Sequence, residues 1–238
     1  MGLDLYVGPL TRYYTGDWET VVRRFGKERG MSITIVRPAS NEENKESKLA
    51  PGEILDLLTL WRSALSDGLG DNVSQPLDWH ESADGEYFTD KPAWDGYGNL
   101  ALLAAYDEHP GLRPPIVACP DFSNDPAWKA STRSDFRSRY TTILQPELWL
   151  PCRFAFTFRA ADVTGSEVWI GSSITLLEQL RALNGNTVSA GREQLTEWRR
   201  ENFEPGDSFQ KASRFGLAMF MELAEKSVLH RLPMKMDY

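Results

Sequence analysis

The sequence predicts an α+β fold: an antiparallel or mixed sheet packed against several helices in a single compact domain. Three observations carry that expectation. Leu3 to Gly8 alternates Leu3, Leu5 and Val7 against Asp4 and Tyr6, the two-residue period of a strand. From Leu148 to Phe158, Leu148, Leu150, Cys152, Phe154, Phe156 and Phe158 share one parity, while Trp149, Pro151, Arg153, Ala155, Thr157 and Arg159 share the other. Elsewhere, apolar residues recur at spacings of three and four, as on the buried faces of helices.

Taken in order, Gly8-Pro9 closes the first strand, and Asp17 predicts the cap of a helix from Trp18 to Lys27 that stops at Gly30. Ser32 to Pro38 reads as a β-branched strand, and Ala39 to Leu49 as a solvated loop. A helix is predicted from Pro51, with Ile54, Leu57, Leu58, Trp61 and Leu65 recurring inward and Gly68 as terminator. The irregular stretch Asp71 to Ala93 either hides a short strand at Glu86 to Thr89 or covers a surface. Asp95 caps a predicted helix from Gly96 to Glu108, and Asp125-Pro126 opens one running to Tyr140. The long strand is expected to begin regular pairing at Cys152, because Pro151 lacks a donor. Asp162 to Gly165 turns the chain and Glu167 to Gly171 pairs back. Ser172 caps a helix that Asn184-Gly185 closes, and further helices cover Arg192 to Arg200 and Lys211 to His230.

The 238 residues suffice for one large domain or two small ones, and no linker or internal repeat divides them. An apolar fraction of 41% with 11% aromatics is globular composition, not that of a disordered chain. The net charge of -8 opposes binding to phosphate backbones and excludes nucleic acid as the partner class of choice. The two cysteines, Cys119 and Cys152, form no disulfide framework and fit a reducing, cytoplasmic setting. The opening MGLDLYVGPL is no signal peptide, and Tyr6 stands where a myristoylation signal wants Ser or Thr. No stretch reaches the roughly 20 apolar residues of a membrane helix.

Motifs for chemistry are sparse. His80, His109 and His230 are scattered without metal-ligand spacing, and His80 beside Glu81 reads first as a surface residue. Gly171-Ser172-Ser173 lacks the nucleophile-elbow pattern, Gly96-Tyr97-Gly98 does not follow a strand, and Cys152 lies in the apolar parity, as a core thiol would. No cofactor or metal is expected. Two acidic-aromatic clusters are the candidate binding surface or pocket. Tyr13, Tyr14, Asp17 and Trp18 form one; Trp79, Asp90, Trp94, Asp95 and Tyr97 form the other. Glu147 and Trp149 are placed to approach either, and Arg153 and Arg159 share a strand face that could pair with these acids or bind an anion. Carboxylates beside aromatics suit either an interface, with aromatic anchors and charge complementarity, or a carboxylate pair for sugar chemistry.

MGLDLYVGPLTRYYTGDWETVV, YFTDKPAWDGYGNLALLAAY and ELWLPCRFAFTFRAADVTGSEVWIGSS together resemble a family of uncharacterised bacterial proteins of similar length. The resemblance covers most of the chain and implies a bacterial, cytoplasmic single domain, with no activity to carry over. In its acidic, motif-poor character the chain is also similar to immunity proteins that neutralise toxins. The expectation is a non-catalytic protein-binding module, possible as an immunity-type neutraliser; the alternative is an enzyme acting on a small or sugar-like ligand. A homo-oligomer built on an apolar two-fold interface is the third.

Overall fold

The computed structural model describes residues 2–30, 49–201, 203–204 and 206–238. Six strands form one sheet: β1 (Asp4–Val7), β2 (Phe88–Asp90), β3 (Leu148–Leu150), β4 (Phe158–Ala161), β5 (Glu167–Ser172) and β6 (Met234–Asp237). Their order is β2-β1-β6-β3-β5-β4, with only β3 and β5 parallel. The result is a mixed sheet in a compact α+β domain, as predicted.

The sheet separates two cores. On one side β1 contributes Leu5 and Val7, β6 Met236 and Met234, and β3 Trp149. They meet α4 (Ala93–Glu108), α7 (Ser173–Thr187) and α9 (Phe209–His230) through Leu100, Ala104, Leu176, Leu180, Leu217 and Phe220. Helices α4 and α9 cross very closely: a Cβ at Gly216 would lie 2.1 Å from the carbonyl oxygen of Gly96. The second core lies under α3 (Pro51–Leu69), where Ile54, Leu58 and Leu65 pack on Leu148, Leu150, Val168 and Ile170.

Several boundaries differ from expectation. Strand β1 is buried on both faces, because it runs between β2 and β6 with material on either side. In place of one helix from Trp18 there are two, α1 (Leu10–Thr15) and α2 (Val21–Glu28), separated at Gly16 with φ of 70°. Thr20, not Asp17, caps α2, its hydroxyl accepting from Arg23 N at 3.3 Å. The strand expected over Ser32 to Pro38 and most of the loop expected from Ala39 to Leu49 lie outside the described residues. Helix α3 continues through Gly68, and α4 starts at Ala93, so that Asp95 stands inside the first turn and is no cap. The short strand foreseen at Glu86 to Thr89 is real but runs Phe88–Asp90.

Helix α5 (Pro126–Ser131) stops well short of Tyr140. The following residues turn on local side-chain bonds, with Thr132 Oγ1 donating to Trp128 O at 2.8 Å and Arg133 paired to Asp135. A single turn, α6 (Thr141–Leu144), then leads into β3. The long strand breaks after Leu150. The chain beyond Pro151 bends onto the N-terminus of α7, where Ser172 Oγ donates to Cys152 O at 2.6 Å and Thr175 Oγ1 to Phe154 O at 2.5 Å. Phe154, Phe156 and Phe158 cluster across that bend with ring centroids 5.2–6.0 Å apart. Asn184-Gly185 does not close α7; the Asn184 amide instead clamps Ala190, donating to its carbonyl and accepting from its N–H at 2.9 Å each. Helix α8 (Arg192–Arg200) matches the expectation, and Ser208 caps α9. Strand β6 was unforeseen, although Leu232, Met234 and Met236 alternate there.

Candidate functional site

One quarter of the sheet is polar. On the face opposite α4, α7 and α9, cross-strand register sets Asp4 beside Asp237 and Tyr6 beside Lys235. Helix α1 lies over these residues. Tyr13 OH donates to Asp237 Oδ1 at 2.8 Å, Tyr14 OH to Asp162 Oδ2 at 2.9 Å, and Tyr6 OH to Pro9 O at 2.9 Å. Tyr13 and Trp18 flank Tyr6 at centroid distances of 5.3 and 5.0 Å, with Tyr87 at 6.0 Å on the same ring. What seats α1 comes from the long irregular stretch. Glu81 accepts from Leu10 N, Thr11 N and the Thr11 hydroxyl at 2.9–3.0 Å, supplying the cap that Pro9 cannot.

Electrostatically this quarter is tense. Burial pushes the Lys235 amine below its ordinary pKa against the pull of Asp162, Glu147 and Asp237, and its nearest carboxylate oxygen, on Asp162, is 3.8 Å away. Asp4 is pushed upward, first by burial and then by Asp237 and Asp90, with Lys91 opposing. Its Oδ1 is buried without a hydrogen-bond partner. Tyr6 and Tyr14 are pushed far above the usual phenol range by burial, so both stay neutral donors.

The thirteen residues singled out from sequence do not gather in one place. Tyr13 bonds Asp237 and lies over Lys235, Tyr14 bonds Asp162, and Trp18 packs on Tyr13 and Tyr6. Asp17 is exposed and held by Arg12 at 3.6 Å. Trp79 is buried in the core under α3, donating Nε1–H to Glu81 Oε1 at 2.6 Å with the Arg62 guanidinium stacked 4.1 Å above its ring. Asp90 is on the other face of the sheet, paired with Leu5 in register and bonded to Arg199 Nε at 2.7 Å. Trp94 packs there between Tyr97 and Tyr238, and Tyr97 is core, stacked on Phe220 at 5.6 Å. The Asp95 carbonyl accepts from Asn99 at 2.8 Å within α4. Glu147 accepts from the Tyr238 hydroxyl. Trp149, expected on the open face of its strand, is fully buried, with Nε1–H donating to Thr142 O at 2.8 Å; both faces of β3 are core because helices cover both. Arg153 lies past the end of β3 and pairs with Glu178, while Arg159 pairs with Glu167. Cys152, expected in the core, is only half-buried; its thiol donates to Asp78 O at 3.3 Å and burial raises its pKa.

The surface holds a second feature. Leu57, expected on the inward stripe of α3, is 39% exposed, and Leu60 is 68% exposed. The inward stripe uses Ile54, Leu58 and Leu65 instead, so this helix carries leucine on both sides. A cavity of about 510 Å³ opens beside its C-terminal half, bordered by Arg62, Ser63, Ser66 and Ser74. A comparable groove of about 540 Å³ runs between α8 and α9 over Leu195, Ala218 and Met221. Sequence reading passed over Leu60; its displacement from the inward stripe was the available signal.

Among the described residues there is no cluster of three or more side chains able to hold a metal ion, and no helix long and apolar enough to cross a membrane. Comparison with protein-family models, with curated proteins and with solved structures returns no match.

Proposed function

We propose that this chain is a non-catalytic protein-binding module, and that the solvent face of α3 is the surface it presents. The observation that carries the reading is Leu60 at 68% exposure beside Leu57, on a helix already anchored by a separate apolar stripe. The exposed part of each side chain adds nothing to this fold, and desolvating it in an interface gains a share of the roughly 1.5–3 kcal/mol that full burial of a leucine is worth. An immunity-type neutraliser in a bacterial cytoplasm is the form that the net charge of -8 and the sequence resemblance favour. Affinity capture from the native host with wild type and with Leu57→Asp/Leu60→Asp tests it. A specific protein recovered by the first and lost by the second is expected; equal recovery by both removes α3 from the account.

A second reading, an enzyme using acidic residues in an aromatic-lined pocket, draws support from two nearly buried charged residues: Lys235, under the Tyr13 ring and 3.8 Å from Asp162, and Asp4, whose Oδ1 has no hydrogen-bond partner. Turnover of a small-molecule panel that Lys235→Met abolishes in a folded protein would favour it over the binding module.

A further inference from the structure

Resting on that reading of α3, we infer that the partner's contact surface is cationic: a basic amphipathic helix or ridge with leucine-sized apolar side chains between its lysines or arginines. At 100° per residue, Glu53, Asp56, Leu57, Leu60, Ala64 and Asp67 fall within an arc of about 100° on α3. Along that arc Leu57, Leu60 and Ala64 lie between Glu53 and Asp56 at one end and Asp67 at the other, and it contains no cation.

The only basic residue of the helix, Arg62, projects from a different side, where it stacks on Trp79 and faces Asp78 at 3.4 Å. Glu53 has a local duty, its Oε2 accepting from Ala50 N at 2.8 Å to close the first turn. Asp56 and Asp67 have none: among the described residues neither makes an ion pair or a side-chain hydrogen bond. The pair flanks Leu60, four residues to one side and seven to the other. Among the described residues their charge is uncompensated, which repels acidic partners, steers basic ones and leaves the leucines to supply the desolvated centre. A second copy of this chain presents the same acids, so self-pairing of the face brings like charges together. That argues for a different molecule as occupant.

The test uses two synthetic amphipathic helices of about 20 residues, whose length of ~30 Å matches α3. They share leucine positions and differ only in having lysine or glutamate at every polar position. Titration calorimetry against the full chain is expected to give binding of the lysine peptide alone, weakening as salt is raised. Leu60→Asp and Asp56→Lys/Asp67→Lys should each weaken it about tenfold or more. Glu193→Lys/Glu197→Lys, which makes the same change of charge on exposed positions of α8, should leave it within about twofold.

Preferential binding of the glutamate peptide, with loss in Leu60→Asp, would overturn the cationic partner while leaving α3 as the docking face. Equal weakening by the α8 and α3 charge reversals would reduce the effect to net charge and overturn the proposal. Concentration-dependent dimerisation abolished by Leu60→Asp would overturn it in favour of a second copy. Circular dichroism of each variant establishes that a loss of binding is not a loss of fold.

Discussion

The two faces of the sheet are built by different physics. The face toward α4, α7 and α9 is mainly apolar, with Asp90 and its partner Arg199 at the β2 edge, and Leu5, Val7, Trp149, Met234 and Met236 pack there against the helices. The opposite face is apolar only under α3; under α1 it carries Asp4, Lys235 and Asp237 beneath tyrosines and a tryptophan. On the first face any residue of the right size and polarity serves. On the second, polar groups are held by specific partners that come from the two ends of the chain: Tyr13 and Asp237 are 224 residues apart. The difference teaches that stability is concentrated on one face and specificity of closure on the other.

Substitutions can break that comparison, and the largest effect belongs to the apolar face. Trp149→Ala removes a fully buried ring and the donor to Thr142, and should cost about 3–5 kcal/mol in urea denaturation. Gly216→Ala follows, at about 1–3 kcal/mol or more, because its Cβ would strike the Gly96 carbonyl and force α4 and α9 apart. A wild-type midpoint in either variant would mean the helix layer is less tightly packed than described.

Changes on the polar face should be smaller and of mixed sign. Tyr13→Phe loses a hydroxyl donor to Asp237 and should cost about 1 kcal/mol. Asp4→Asn sharpens the contrast through pH. The folded protein holds the Asp4 proton more firmly than the unfolded chain does, since burial raises its pKa from 3.8. Wild type therefore carries a penalty fully present above the folded pKa, and the penalty disappears as pH falls below the unfolded value. Asp4→Asn should accordingly be most favoured relative to wild type at neutral pH, with the difference shrinking on acidification. Denaturation midpoints at about pH 7 and about pH 4 check this, and a difference that grows in acid would contradict it. Leu60→Asp should be the smallest of all, within about 0.5 kcal/mol of wild type, because its side chain is in solvent.

How much of this was legible in the sequence follows the same division. The apolar periods of β1, α3, α7 and α9 were readable because hydrophobic burial is a local pattern repeated along each element. Strand β6 was missed because its run is short and interrupted by Lys235, a buried charged residue beside Asp162 and the Tyr13 ring. The break after Leu150 was half visible in Pro151, but the pull of Ser172 and Thr175 on the following carbonyls was not. For the candidate site, Tyr13, Tyr14, Asp17 and Trp18 were grouped because they share one short stretch; the three rings pack together, while Asp17 points to solvent beside Arg12. Asp90 and Trp79 could not be assigned to opposite sides of the sheet without its register. Glu81 looked like a companion to His80, whereas its role is set by Leu10 and Thr11, some 70 residues earlier.

The most direct measurement of the central claim is hydrogen exchange on the chain with and without the partner recovered by affinity capture. The account predicts new protection along Pro51–Leu69 and little change over Leu10–Thr15, whose first amides are already held by Glu81 within the fold. Protection confined to α1 and β6, with α3 exchanging as it does alone, would contradict it.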